Sequence, residues 1–154
     1  MHPLETRRDL DLARVALQAG AEVVLAKEGL ILGSAHGQGI GPLLDLLQAV
    51  GGEAQGSALA DRVVGRAAAL LVLTAGISAV YTPFASEAAL AVLQSRGIWV
   101  EYDRSVPLIL NRKGDGPCPY EALVSDLDDP AQAREVLLRF VEESARAHKP
   151  SSEE

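Results

Sequence analysis

The chain has 154 residues, 48% of them hydrophobic and 23% charged, as expected of one globular domain long enough to bury a core. Its formal net charge is −7, so no broad basic surface exists to neutralise the phosphates of a nucleic acid or an anionic membrane, although a local pocket for a small anion stays open. No apolar run reaches the roughly 18 residues of a membrane span, no signal-peptide core follows the charged start "MHPLETRRD", and the single cysteine fits a reducing cytoplasm.

Taken in chain order, "ETRRDLDLARVALQAG" has the spacing of an amphipathic helix. Thr6 is its expected cap, Gly20 its stop, and Leu12, Val15, Ala16 and Ala19 its shared face. "AEVVLAKEGLILGSA" reads as two apolar strands turned at Lys27-Glu28-Gly29, a hairpin. The glycine-rich turn "HGQGIGP" lacks phosphate-loop spacing and leads into a short helix, "PLLDLLQAV", with Pro42 near its first turn. After the polar break "GGEAQGS", the run "ALADRVVGRAAALLVLTAG" predicts a helix with Ser57 as N-cap. Beyond Arg66 it is apolar all round, which places it in the body of the fold.

"ISAVYTPF", "SEAALAVLQSRG" and "GIWVEYD" form a β-α-β unit with parallel strands, its helix bounded by Ser86 and Gly97. "VPLILNR" follows too soon for a crossover and predicts an antiparallel return strand. "DDPAQAREVLLRFVEESARAH" predicts a last helix with Asp129 as cap, Pro130 first, and a buried stripe of Ala133, Val136, Leu137, Phe140 and Val141. Residues 1–147 are expected to form one domain and residues 148–154 a disordered tail. The fold class is α/β, a three-layer α-β-α sandwich around a mixed sheet of about five strands.

Four places offer chemistry. Cys118 precedes Pro119 and stands three residues before Glu121, the spacing of a capping box with a thiol in the cap. A helix start favours thiolate, yet a lone cysteine without a partner histidine is read more plainly as a small residue in a turn. Asp61, Arg62, Gly65 and Arg66 form the second place: on a helix, Arg62 and Arg66 share a face and could hold a carboxylate or phosphate. A solvated first turn explains them equally well. Ser86 and Glu87 open a helix directly after a strand, where α/β proteins bind ligands, but they are also ordinary helix punctuation. The histidines, His2, His36 and His148, come with no H-x-E, C-x-x-C or H-E-x-x-H, so neither a metal site nor another cofactor is expected.

The segments "GIGPLLDLL", "ALADRVVGRAAALL", "SEAALAVLQSRGIWVEYD" and "VPLILNRKGDGPCPYEA" resemble the small prokaryotic family called domain of unknown function 1893, over residues 9 to 142. The resemblance implies a cytidine-deaminase-like fold. In deaminases of that fold, zinc ligands and a proton-shuttling glutamate sit at two helix starts as H-x-E and P-C-x-x-C. The helix starts expected to correspond here, "LADRVVG" and "PFASEAAL", hold no such set. Asp61, Arg62, Gly65 and Arg66 match one motif of the family; Asn111, Arg112, Gly116, Cys118 and Glu121 match the other.

Three readings follow. In the first, a pocket takes a small nucleotide-like or anionic metabolite, with Arg62, Arg66 or Arg112 on the anion and Asn111 on an amide or base edge. In the second, a metal-free enzyme uses Cys118 as nucleophile and Asp61 as acid, base or orienting carboxylate. In the third, the chain is a non-catalytic regulatory or interaction protein. Self-association into a homo-oligomer through an apolar helix face stays open.

Overall fold

The computed structural model describes residues 3–111 and 113–147. Arg112 and the tail expected over 148–154 lie outside the described residues. Helix α1 (Pro3–Gln18) leads into the hairpin β1 (Val23–Lys27) and β2 (Leu30–Ala35). Glu28 and Gly29 both take positive φ, 54° and 79°, as a two-residue hairpin turn needs. Asp9 of α1 secures that turn, its buried carboxylate accepting from Glu28 N at 3.0 Å and Gly29 N at 2.8 Å.

Then come α2 (Gly41–Val50), β3 (Ala58–Asp61), β4 (Val63–Val64), α3 (Arg66–Ala75), β5 (Ala79–Ser86), α4 (Glu87–Ser95), β6 (Trp99–Val106), α5 (Pro119–Val124) and α6 (Pro130–Ala147). The sheet has six strands. β2, β1 and β3 pair antiparallel, while β3 and β4 both run parallel to β5. β6 pairs parallel with β5 along its length, so β3 and β4 share the other edge of β5. The sheet therefore has five strand positions, one of them occupied by two short strands.

The break between β3 and β4 has a cause in β5. Pro83 has no N–H to donate, and pairing skips it on both edges: Ala60↔Tyr81 resumes at Val63↔Phe84, and Thr82↔Tyr102 at Phe84↔Arg104. Side-chain alternation slips there as well. Leu59 and Val64 are five residues apart yet both point into the larger core, so Arg62 and Val63 leave the strand on the same side.

Two cores lie on opposite faces of the sheet. Val24, Ala26, Ala58, Ala60, Ala79 and Tyr81 face α1, which meets them with Leu10, Ala13 and Leu17. Val23, Leu25, Leu59 and Val80 face the larger core, with α2, α3, α4, α5 and α6 contributing. α3 also packs against α6, which explains its apolar circumference: Ala67 through Val72 are all buried. Each fully buried leucine there, such as Leu70 or Leu71, contributes about 2 kcal/mol. No helix among the described residues is long and apolar enough to cross a membrane.

Four expectations are corrected. Residues 58–61 form a buried strand rather than the first turns of a helix, and Ser57 caps nothing; its hydroxyl donates to Ala54 O at 2.6 Å. Thr6 lies inside α1, whose buried face is Leu10, Ala13 and Leu17 while Val15 is exposed. Among the described residues, no return strand forms over 106–111. Val106 ends β6, and the following arm closes on itself through a single bridge, Leu110↔Pro117.

Candidate functional site

The parallel strands β3 and β5 end in two of the predicted site residues, Asp61 and Ser86. Asp61 points to the same face as Leu59, toward the larger core, and is buried. Burial pushes its carboxyl up from 3.8 to about 8, and the charge of Glu22 pushes the same way. The backbone N–H groups of Arg62 and Val63 pull against both without prevailing. Asp61 is thus a protonated carboxylic acid near neutral pH, able to donate as well as accept. Ser86 is the N-cap of α4, its buried hydroxyl accepting from Ala89 N at 3.0 Å, and Glu87 lies in the first turn.

The structure separates the two arginines that the sequence suggests as one anion clamp. Arg62 lies between β3 and β4 and reaches back to the end of α1. Its Nε donates to Ala21 O and its terminal nitrogen to Leu17 O, both at 3.0 Å, with Glu22 at 3.7 Å. A guanidinium on the last carbonyls of a helix complements the helix dipole. The helical pairing of Arg62 with Arg66 fails because β3 is extended.

Gly65, Arg66 and Glu121 do come together, in a way local sequence does not reveal. Glu121 does not return to the N–H of Cys118 as a capping box requires. Its carboxylate crosses to α3 and accepts from Arg66 N at 2.7 Å and Ala67 N at 2.8 Å. Gly65 leaves the space for it. Arg66 answers in the other direction: its Nε donates to Val124 O at 3.0 Å and its terminal nitrogen to Leu127 O and to Asp128, the latter at 2.9 Å. Each helix therefore satisfies the exposed end of the other.

Cys118 is the backbone N-cap of α5, half-buried, with no side-chain cap bond. Its N–H donates to Ile109 O at 2.9 Å, tying α5 to the arm. Asn111 organises the arm's tip. It donates from Nδ2 to Asp115 at 2.9 Å and accepts at Oδ1 from Gly114 N at 2.8 Å, while its own N–H donates to Gly116 O. Asn111 and Gly116 thus hold a turn. Tyr120 stands edge-on to Phe140, ring centres 5.4 Å apart, and closes over Gly39 of the glycine-rich turn.

A zinc ion of the deaminase kind does not fit these residues. The start of α3 is filled by the Glu121 carboxylate, and the start of α4 offers a hydroxyl already bonded to Ala89 N. Among the described residues, no three His, Cys, Asp or Glu side chains form a group that could hold a metal.

Sequence reading missed Glu22, whose charge acts on Asp61 and Arg62, although a lone acid opening the apolar run "EVVLA" was a visible signal. It also missed Asp9, and the carbonyls that occupy Arg62 and Arg66, which leave no trace in side-chain pattern.

The fold and this self-capped helix start define an α/β sandwich with a mixed sheet. The chain belongs to the family described as domain of unknown function DUF1893, whose profile matches residues 13–141. A DUF1893 protein of Thermotoga maritima superposes with a TM-score of 0.78 at 23% identity, covering 90% of this chain and 91% of that one. Acinetobacter baumannii RibD gives a TM-score of 0.49 at 17% identity over 64% of this chain and 36% of its own. The dCMP deaminase of cyanophage S-TIM5 gives 0.46 at 20% identity over 66% of this chain and 99% of its own. Among curated proteins, none matches the sequence.

Proposed function

We propose that this chain binds a small nucleotide-like metabolite at the carboxyl ends of β3 and β5 and performs no zinc-dependent deamination. The observation that supports it is Asp61, a buried carboxyl held neutral up to about pH 8 at the end of a parallel strand. Open α/β sheets bind ligands at that end of their strands. A neutral carboxylic acid presents a donor and an acceptor side by side, the pattern that reads an amide or base edge. Arg62 and Arg66 are committed to backbone carbonyls at and just beyond the ends of helices, so the anchoring of an anion passes to other groups.

The test is thermal unfolding of the full chain against bases, nucleosides, nucleotides and phosphorylated sugars. A true ligand at 100 times its Kd adds about 2.7 kcal/mol, a shift of several degrees. The shift should shrink in Asp61→Ala measured against its own ligand-free midpoint. No shift from any compound would sink the reading.

A second reading, a metal-free enzyme with Cys118 as nucleophile, is favoured by the position of that thiol at a helix start, free of any cap bond. Its check is the rate of Cys118 alkylation against pH, with and without the same compounds. Fast alkylation at neutral pH, suppressed by one compound, supports it; slow alkylation that nothing suppresses removes it.

A further inference from the structure

A strand in the middle of a parallel sheet is normally covered on both faces. β5 has β3 and β4 on one side and β6 on the other, yet its Phe84 is 42% exposed. Val63, directly beside it in β4, is 41% exposed. Val64 points into the larger core, so Val63 and its partner Phe84 point to the face that α1 covers. The end of α1 is pinned by Arg62, the residue before Val63, so this pair lies just past the cover that the helix provides.

Arg104 completes the row, paired with Phe84 from the β6 side. It is exposed, and its side chain makes no hydrogen bond or ion pair among the described residues. The acids near it in β6 are engaged: Glu101 takes both terminal nitrogens of Arg7, and Asp103 accepts from the Tyr81 hydroxyl at 2.7 Å. Arg7 and Arg14 lie over aromatic rings, at 4.7 Å from Trp99 and 4.5 Å from Tyr81. Arg104 is therefore an uncommitted cation beside an open aromatic face, on a chain whose net charge is −7.

We propose that the row Val63–Phe84–Arg104 is a binding ledge for an aromatic anion, its ring laid on Phe84 and Val63 and its acidic group on Arg104. The ligand class is a nucleoside monophosphate or a planar molecule of like charge. The ledge lies on the face of the sheet opposite the one toward which Asp61 points, so it is a second site, separate from the ligand-binding reading above. The slip at Pro83 creates the ledge, because it turns Phe84 away from the larger core. Neighbouring strands lie about 4.8 Å apart, so a guanidinium on the strand next to Phe84 reaches a group just beyond the edge of a stacked ring. Stacking supplies tolerance of ring type; the cation supplies the demand for charge.

The experiment is an amide chemical-shift titration of the isotopically labelled full chain with AMP, adenosine and inorganic phosphate in turn. AMP should move the signals of Val63, Phe84 and Arg104 saturably, with adenosine and phosphate each binding at least about tenfold more weakly. Arg104→Gln should bring AMP down to the level of adenosine, and Phe84→Thr should weaken AMP and adenosine alike. If AMP moves Asp61 and Ser86 but leaves the row untouched, the ledge is wrong and the broader reading stands. If AMP moves nothing, the ledge falls. Row signals that shift with protein concentration alone, at twice the monomer mass in sedimentation, would assign the surface to a second copy and overturn the proposal.

Discussion

The carboxylate of Glu121 occupies the space that a side chain on Gly65 would need: a Cβ there would lie 2.3 Å from Glu121 Oε1. The backbone of Gly65 is at φ −100° and ψ −174°, a conformation open to any residue. What Gly65 supplies is absence of bulk, which lets a carboxylate from α5 reach two N–H groups at the start of α3.

Gly65→Ala is therefore expected to act through Glu121. Displacing the carboxylate removes a helix cap, a loss of about 1–2 kcal/mol. Glu121→Ala should cost a similar amount, and adding Gly65→Ala to it should cost little more. Denaturant midpoints of the two single variants and the double variant check this; strict additivity would show that the two residues act independently.

Asp61 sets a pH dependence whose sign follows from its raised carboxyl. The folded state prefers the protonated acid, so the stabilisation is complete below pH 3.8 and is lost as pH rises toward about 8. Across that window the slope from this one group approaches about 1.4 kcal/mol per pH unit. Asp61→Asn, which stays neutral, should flatten the slope and gain on the parent chain at pH 8. Urea unfolding of both proteins from pH 4.5 to 8.5 decides it; parallel curves would mean that Asp61 is ionised in the fold.

Arg62 reaches two carbonyls at once, Leu17 O and Ala21 O. Lysine keeps the charge but not the fork, so Arg62→Lys should recover less than half of what Arg62→Met loses, the full loss being about 1–2 kcal/mol. Full rescue by lysine would reduce the contact to charge on a helix end.

Asp9→Ala removes the acceptor for Glu28 N and Gly29 N. Amide exchange at those two positions should speed up more than elsewhere, with a global loss of about 2 kcal/mol. Uniform acceleration along the chain would indicate general loosening instead.

Much of the architecture was legible because it rests on local periodicity. The hairpin at Lys27-Glu28-Gly29, the Ser86 cap, the parallel β5–α4–β6 unit and the buried stripe of α6 all show in spacing of a few residues. Residues 58–61 misled because "ALAD" is buried on both faces, and such a run does not alternate. The site was less legible for a different reason. Glu121 meets α3 across more than fifty residues, and Arg62 and Arg66 end on backbone carbonyls, which have no letter in a sequence. Asn111 and Gly116 stood out as family motif residues, and the structure gives them a turn to hold.

The alanines beneath α1 make the two faces of the sheet unequal in what they tolerate. Ala26, Ala58, Ala60 and Ala79 are all at most 1% exposed and lie against Leu10, Ala13 and Leu17. A helix seated on methyl groups stands close to its strands, so even one added methylene has nowhere to go. The opposite face is filled by leucines and valines on several helices, where a change of shape can be shared among neighbours. Substitution should therefore drift freely through the many-helix layer and stall at the single-helix one, leaving the row of alanines as the part of this chain slowest to change.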